Sequence, residues 1–258
     1  MRAAWLTAGA LMTTMALLAS TTALWHTFAK ARTPEEVTAR SIPFTEGRIQ
    51  INAARGDVDV AILPGNAGEL LISRSLRWTR DRPAVTEDWD ARTSTLRLEA
   101  VCPGADQPDG PLCRADYLLF VPPETDIVAG TTGGMLSVDD VYGDVRLTSV
   151  TGDVSVDDVA GSLWARVGTG SVRADTLNAE EADVEVGAGN VSLTFANPPA
   201  TVKAVVRTSG DVRVHVREGS YDVSVVARNS TLNIGRDPGS PRKITARAPD
   251  GTVTLCCR

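Results

Sequence analysis

The chain has 258 residues, of which 43% are hydrophobic and only 5% aromatic, which favours stacked short strands with small aliphatic layers over a globule built on large rings. Its formal net charge is -6, and residues 1–32 carry three basic and no acidic side chains, so the remainder is more acidic still. An acidic body without a basic stripe repels phosphate backbones, and nucleic acid is therefore excluded as an expected partner.

The chain begins with an apolar segment, because no charged side chain occurs from Ala3 to Ala29. About 20 apolar residues in a helix cross a bilayer, so residues 1–29 are predicted to form one N-terminal transmembrane helix, with residues 3–29 contacting the membrane. The alternative is a cleaved signal peptide that ends near Thr21-Thr22-Ala23. The first outcome gives a single-pass cell-membrane protein with an extracellular body, and the second gives a secreted one.

Two further segments precede the most regular part of the chain. Residues 30–44 are polar and are predicted to be a tether. Residues 45–128 contain longer runs typical of strands, which we expect to form an antiparallel β cap, because the end of a repeat array needs covering. Residues 129–258 are then assigned to the repeat array itself.

A glycine recurs every nine residues in the centre of the chain. The segments that follow these glycines alternate apolar and polar residues, which is the period of a strand with one buried face. Looser copies include GDVDV from Gly56 and GTVTL from Gly251. The five regular positions are Gly134, Gly143, Gly152, Gly161 and Gly170.

The closest internal similarity has a period of eighteen, because Val138-Asp139-Asp140-Val141 returns as Val156-Asp157-Asp158-Val159. Two strands per eighteen residues indicate a coil with two straight sides, and stacked coils bury the faces that one short strand cannot bury alone. The predicted fold is therefore all-β, a β-solenoid-like stack of two-sided coils. Its core is expected to contain Val145, Val154, Leu163 and Val172.

Four cysteines raise the question of disulfide bonds. Cys102 and Cys113 bracket a loop rich in Gly, Pro and Asp, and we predict that they pair with each other, the alternative being two free thiols. Cys256 and Cys257 are adjacent and are left open between a vicinal bridge, an upstream partner and a link to another chain. No zinc-binding spacing is present.

The stretch VPPETDIVAGTTGGMLSVDDVYGDVRLTSVTGDVSVDDVAG, Val121 to Gly161, resembles the bacterial "putative adhesin" β-repeat family. The resemblance covers about residues 45–255. It implies a β-solenoid-like fold at the cell surface and an adhesive or structural role. It implies no ligand and no catalytic residue.

The paired aspartates are the most evident candidate site. Asp139/Asp140 and Asp157/Asp158 are expected on adjacent coils, but calcium needs roughly six to eight oxygen ligands, which these turns do not obviously supply. Solvated turn aspartates are the favoured interpretation. Trp164 is expected to point outward, either as a small binding spot or as cover for a neighbouring loop.

No motif for covalent or phosphate chemistry is present. His215 occupies a strand end, and the cysteines have no evident histidine partner in the sequence. We therefore expect no enzyme activity, no cofactor and no metal, and predict a non-enzymatic extracytoplasmic module that contacts a protein or glycan at the cell surface. The alternatives are a carbohydrate-active enzyme on a β-solenoid, and a membrane-anchored regulatory ectodomain.

Overall fold

The computed structural model describes residues 12–13, 15–22, 24–25, 33–104 and 110–257. Glu35–Arg258 forms one compact unit built from strands. The strands are β1 (Glu35–Pro43), β2 (Arg48–Arg55), β3 (Asp57–Pro64), β4 (Glu69–Trp78), β5 (Ala84–Asp90), β6 (Thr95–Val101), β7 (Cys113–Val121), β8 (Asp126–Thr131), β9 (Leu136–Val141), β10 (Val145–Thr151), β11 (Val154–Val159), β12 (Leu163–Thr169), β13 (Val172–Leu177), β14 (Glu181–Ala188), β15 (Val191–Phe195), β16 (Thr201–Val206), β17 (Val212–Val216), β18 (Ser220–Asn233), β19 (Gly235–Arg236) and β20 (Lys243–Cys257).

The structure does not support the predicted transmembrane helix. The described residues between 12 and 25 are helical, but no helix in the described part of the chain is both long and apolar enough to span a membrane. Much of the predicted segment 1–29, and residues 30–32 of the predicted tether, lie outside the described residues.

The predicted stack of two-sided coils is present as two faces of parallel strands. Face A comprises β6, β2, β8, β10, β12, β14, β16 and the first halves of β20 and β18, in that spatial order. Face B comprises β7, β3, β9, β11, β13, β15, β17 and the second halves of β20 and β18. The described strands therefore make nine coils.

The interior is built from the aliphatic positions of the repeat. Val145, Val154, Leu163 and Val172 are each 1% exposed, as the alternation predicts. Val145 is paired with Ile127 on one side and Leu163 on the other, so neighbouring coils in this region are eighteen residues apart. The same aliphatic layers on both faces seal one another from water.

Both ends of the stack depart from chain order. At the start, β2 and β3 lie between the coil of β6 and β7 and the coil of β8 and β9. At the finish, β20 lies between the coil of β16 and β17 and the outermost strand, β18. In both cases the coil nearest the chain end is the second coil of the stack and not the outermost one, and it has a parallel neighbour on each side.

The predicted antiparallel cap is smaller than residues 45–128. Among the described strands, antiparallel pairing is confined to β1 with β4, β4 with β7, and β5 with β6. The other strands of that segment are coils of the stack itself. Residues 35–43 of the predicted tether form β1, because its backbone hydrogen-bonds along the full length of β4 even though its side chains are mostly exposed.

The corners between the faces depend on glycine at one column of positions. Gly152 has φ +136°, and a Cβ added there would lie 2.0 Å from the carbonyl oxygen of Gly134 in the preceding coil. Gly170 has the same relation to Gly152, because a Cβ added to Gly170 would lie 2.3 Å from the carbonyl oxygen of Gly152. The repeat thus requires glycine because backbone of one coil touches backbone of the next.

Candidate functional site

Many of the repeat aspartates hold adjacent coils together. The carboxylate of Asp153 accepts a hydrogen bond from the backbone N–H of Ser171, 2.8 Å away and eighteen residues later. The same contact recurs along the stack. The Ser171 hydroxyl accepts a hydrogen bond from the backbone N–H of Asn190. The side-chain oxygen Oδ1 of Asn190 accepts one from the N–H of Asp211, and Oδ1 of Asp211 accepts one from the N–H of Thr252. The residue after each corner glycine therefore links one coil to the next, which is a structural role.

The predicted aspartate site is a column on face B. Asp139, Asp157 and Asp175 are register neighbours on β9, β11 and β13. Burial, followed by the charges of Asp157 and Asp140, raises the pKa of the Asp139 carboxyl. Asp175 accepts a hydrogen bond of 3.0 Å from the hydroxyl of Thr194.

The second aspartate of each pair has a different role. Asp140 and Asp158 have φ of 54° and 48°, the left-handed conformation that Asp tolerates better than most residues. Asp158 also accepts a hydrogen bond of 2.9 Å from the side-chain amide of Asn178. Within the described residues, no group of three or more His, Cys, Asp or Glu side chains is placed to hold a metal ion.

Trp164 lies on the outer side of face A, as predicted, and is partly buried by two arginines. The guanidinium carbon of Arg146 is 4.4 Å from the indole centroid, and that of Arg166 is 4.3 Å away. Such cation–π contacts stabilise by roughly 0.5–1 kcal/mol at exposed sites. The indole therefore fixes two long cationic side chains on a flat surface.

The acidic residues beside Trp164 are neutralised within face A. Arg166 pairs with Asp183 at 2.9 Å and lies 3.8 Å from Glu185. Lys203 lies 3.5 Å from Asp183, and Arg207 pairs with Glu185. Three cationic side chains thus offset two carboxylates, which leaves this part of the face with a small positive excess.

A cationic cleft lies next to this network. Its cavity has a volume of about 690 Å³, and three arginines, Arg48, Arg92 and Arg146, are among the residues that line it. Within the described part of the chain, Arg48 and Arg146 form no ion pair, while Arg92 is 3.7 Å from Asp90. We call this feature the arginine cleft. Its lining residues are Glu46, Gly47, Arg48, Gln50, Arg92, Thr93, Ser94, Asp126, Val128 and Arg146.

The two carboxylates of the cleft only partly offset its charge. Asp126 is already engaged, because its Oδ1 accepts the N–H of Asp144 at 3.0 Å. Glu46 is exposed at the margin. Because Arg48 and Arg146 have no carboxylate partner among the described residues, the cleft is suited to an anion, in a protein whose overall charge is negative.

Sequence reasoning missed the arginine cleft. Arg48 precedes the recognised repeats, Arg92 follows β5, and only Arg146 lies in the regular array. They come together because β2 is inserted beside β8, which places Gln50 next to Val128, and Val128 next to Arg146. Arg146 occupies a polar, exposed position of the alternating pattern, but nothing in the sequence shows which strand is its neighbour.

The cysteines fall into two groups. The predicted Cys102–Cys113 disulfide is present and joins the residue that follows β6 of face A to the first residue of β7 of face B. Cys256 and Cys257 are free and partly buried. Cys256 is the register neighbour of His215, so a histidine does lie on the adjoining strand, although no sequence pattern indicates this pairing.

Comparisons with known proteins give only distant likenesses. No family model matches the chain, and no curated protein matches it. The chain is similar in structure to a "putative cell adhesion protein" from Clostridium sporogenes, at 14% identity and a TM-score of 0.38, covering 88% of this chain and all of that one. It is also similar to "putative adhesins" from Parabacteroides merdae and Parabacteroides distasonis, at 13% and 12% identity. Their TM-scores are 0.34 and 0.26, with 85% of this chain covered in each case and 96% and 97% of those chains.

Proposed function

We propose that this protein is a non-enzymatic, adhesin-like interaction module outside the cytoplasm, and that face A binds a carboxylate-bearing polysaccharide at the cell surface. The observation that carries the proposal is the arginine cleft, where the guanidinium groups of Arg48 and Arg146 have no carboxylate partner among the described residues. Guanidinium binds carboxylate through two parallel hydrogen bonds, which makes it the usual group for recognising such anions.

The shape of face A favours an extended ligand. The cleft is an open depression on a row of outward side chains that runs across the coils through Gln50, Val128, Arg146 and Trp164. Trp164 holds Arg146 through a contact of 4.4 Å, so this arginine loses less freedom when it binds an anion. A polysaccharide lying along the row would make repeated weak contacts, each of modest strength.

The disulfide supports the extracytoplasmic location. Disulfides persist in oxidising compartments, and Cys102–Cys113 closes a loop at the first coil. Residues 1–29 would supply the export signal or the membrane attachment.

The test is binding of the purified full-length chain to polygalacturonate by calorimetry. An uncharged glucan is the matched ligand control. We expect Arg48→Ala and Arg146→Ala each to weaken binding by about tenfold, since a charge-assisted hydrogen bond contributes roughly 1.5 kcal/mol. Arg173→Ala, a change of an exposed arginine on face B, is the matched control variant and should bind as the unmodified chain does.

Three results would contradict the proposal. The first is equal affinity of the unmodified chain and the R48A/R146A variant for polygalacturonate. The second is turnover of the polysaccharide that is lost in Asp139→Asn or Asp157→Asn, which would support the carbohydrate-active enzyme instead. A protein ligand captured through face A, without polysaccharide binding, would also exclude the glycan.

A further inference from the structure

The two ends of the stack differ in whether other strands cover the outermost coil. At the N-terminal end, β1, β4 and β5 cover the first coil, and their charged side chains pair with one another. Arg74 lies 3.4 Å from Glu36 and 3.3 Å from Glu87, and Arg40 also pairs with Glu87. Charged side chains on edge strands prevent them from pairing with another chain.

The opposite end has no such cover. β18 is the outermost strand and pairs with β20 along one edge. Among the described residues, its other edge meets only β19, which pairs with it at Ser220 and Tyr221. The backbone from Asp222 to Asn233 therefore presents a strand edge on which another strand can pair.

The side chains of this edge continue the interior of the stack. Val223, Val225 and Ala227 stand beside Ile244, Ala246 and Ala248 of β20, which are at most 1% exposed, and they form the last layer of the core. This layer is only partly buried, and Val226 on the outer side is 52% exposed. The end of a stack normally needs a polar cap to remain soluble.

We propose that β18 of one chain pairs antiparallel with β18 of a second copy, around a twofold axis through Val225. In this register the side chain of Asp222 stands opposite the partner's Arg228, and the reverse pair forms on the other side of the axis. Val223 stands opposite the partner's Ala227, which completes the open apolar layer. The segment 222–228 lies between the β19 contact and the irregularity in β18 that follows Ala227.

The charged residues of β18 favour β18 of a second copy as the pairing strand over a strand of unrelated sequence. Asp222 and Arg228 are the only charged residues of β18, and a twofold axis brings them together twice. Within one chain Arg228 lies 2.9 Å from Asp250, but both side chains are exposed, at 66% and 62%, so this pair is weak and free to rearrange. The charged N-terminal end argues against head-to-tail stacking, and a twofold contact closes after two chains.

The pairing would give the protein two arginine clefts on one rod. A twofold axis perpendicular to face A keeps both copies of this face on the same side. Two clefts at opposite ends of a continuous sheet would bind one long polyanion with greater avidity than a single cleft. The dimer itself does not depend on the ligand, so its test is separate from the test of the proposed function.

The test is sedimentation of the full-length chain over a range of concentrations, without reductant and in a C256S/C257S background that prevents disulfides between chains. We expect a monomer–dimer equilibrium that Asp222→Arg and Arg228→Asp each weaken by about tenfold or more, because each places two like-charged pairs across the axis. The double variant D222R/R228D restores opposite charges and should recover the dimer. Asp250→Asn removes only the intrachain partner of Arg228 and should leave the dimer intact.

Hydrogen exchange supplies the second readout. The amides of Val223, Val225 and Ala227 lie on the free edge, because those that alternate with them face β20. They should gain protection as the concentration of the unmodified chain rises, and should not gain it in D222R. A chain that stays monomeric at all concentrations overturns the proposal. So does a dimer that both single charge variants leave unchanged, or one that forms without protection of β18, since it would use another surface.

Discussion

The carboxylate of Asp144 accepts a hydrogen bond of 2.9 Å from the backbone N–H of Ser162, eighteen residues further along the chain. Asp144 in turn donates its own N–H to Asp126, eighteen residues earlier. This relationship explains why a short polar acceptor follows the glycine in so many repeat units. The glycine allows the corners of two adjacent coils to touch, and the side chain of the next residue joins them by a hydrogen bond.

Replacing the acceptor should weaken the stack locally. Asp153→Ala leaves the N–H of Ser171 without its side-chain partner, and we expect the free energy of unfolding to fall by about 1 kcal/mol. Asp153→Asn is the matched control, because Asn190 makes the equivalent bond with an amide oxygen. Urea unfolding followed by circular dichroism would measure both. Equal losses in the two variants would show that the carboxylate charge, and not the acceptor, matters.

Adding one methyl group at a corner should be far more costly. Gly152→Ala places a Cβ against the carbonyl of Gly134 and also fixes an unfavourable φ, so we expect a loss of at least about 3 kcal/mol. Gly47→Ala, where no atom lies within 4 Å of the added Cβ, should change stability by less than about 1 kcal/mol. The melting temperatures of the two variants provide the comparison. Equally stable variants would contradict the close backbone contact.

The aspartate column makes a prediction for pH. Burial and the charges of Asp157 and Asp140 raise the folded-state pKa of Asp139 above its usual 3.8, so the folded protein holds this proton more tightly than the unfolded chain does. Ionised Asp139 is therefore slightly destabilising at neutral pH, and its protonation adds stability as the pH falls through the raised pKa towards 3.8. Asp139→Asn should be slightly more stable than the unmodified chain at neutral pH.

The stability difference should shrink near the usual pKa. Thermal melts of both chains at neutral pH and at about pH 4 would measure it. The control is Ser137→Asn at the neighbouring outward position of β9. It introduces an amide side chain without changing the charge, so it shows the effect of the amide alone. An advantage of Asp139→Asn that grows on acidification would mean that the shift has the opposite sign.

The disulfide should stabilise the first coil. Cys102 and Cys113 are eleven residues apart, so removing the bond with C102S/C113S should cost roughly 2–3 kcal/mol by loop-closure entropy. C256S/C257S, which removes the free cysteines, is the control and should melt within a few degrees of the unmodified chain. No loss of melting temperature in C102S/C113S would mean that the cap alone holds β6 and β7 together.

The repeat predicts the coil but not the order of the coils. Alternation correctly placed Val145 and Leu163 in the core, because a period of two leaves only one way to bury the apolar side. The insertion of β2 beside β8, and of β20 beside β18, has no local signal, since any free parallel edge offers the same backbone hydrogen bonds. The arginine cleft depends on that insertion, and was missed for the same reason.

The inserted terminal coils are the central claim, and distances between spin labels test them most directly. On the outer side of face B, Ser137, Ser155, Arg173, Ser192, Arg213, Thr254 and Thr231 succeed one another across the coils. With about 4.8 Å per strand, Ser137 should lie about 24 Å from Thr254 and about 29 Å from Thr231. The labels would be placed on cysteines at these positions in a C256S/C257S background. A shorter distance to residue 231 than to residue 254 would contradict the account, because it would place β18 inside and the chain-terminal strand β20 outermost.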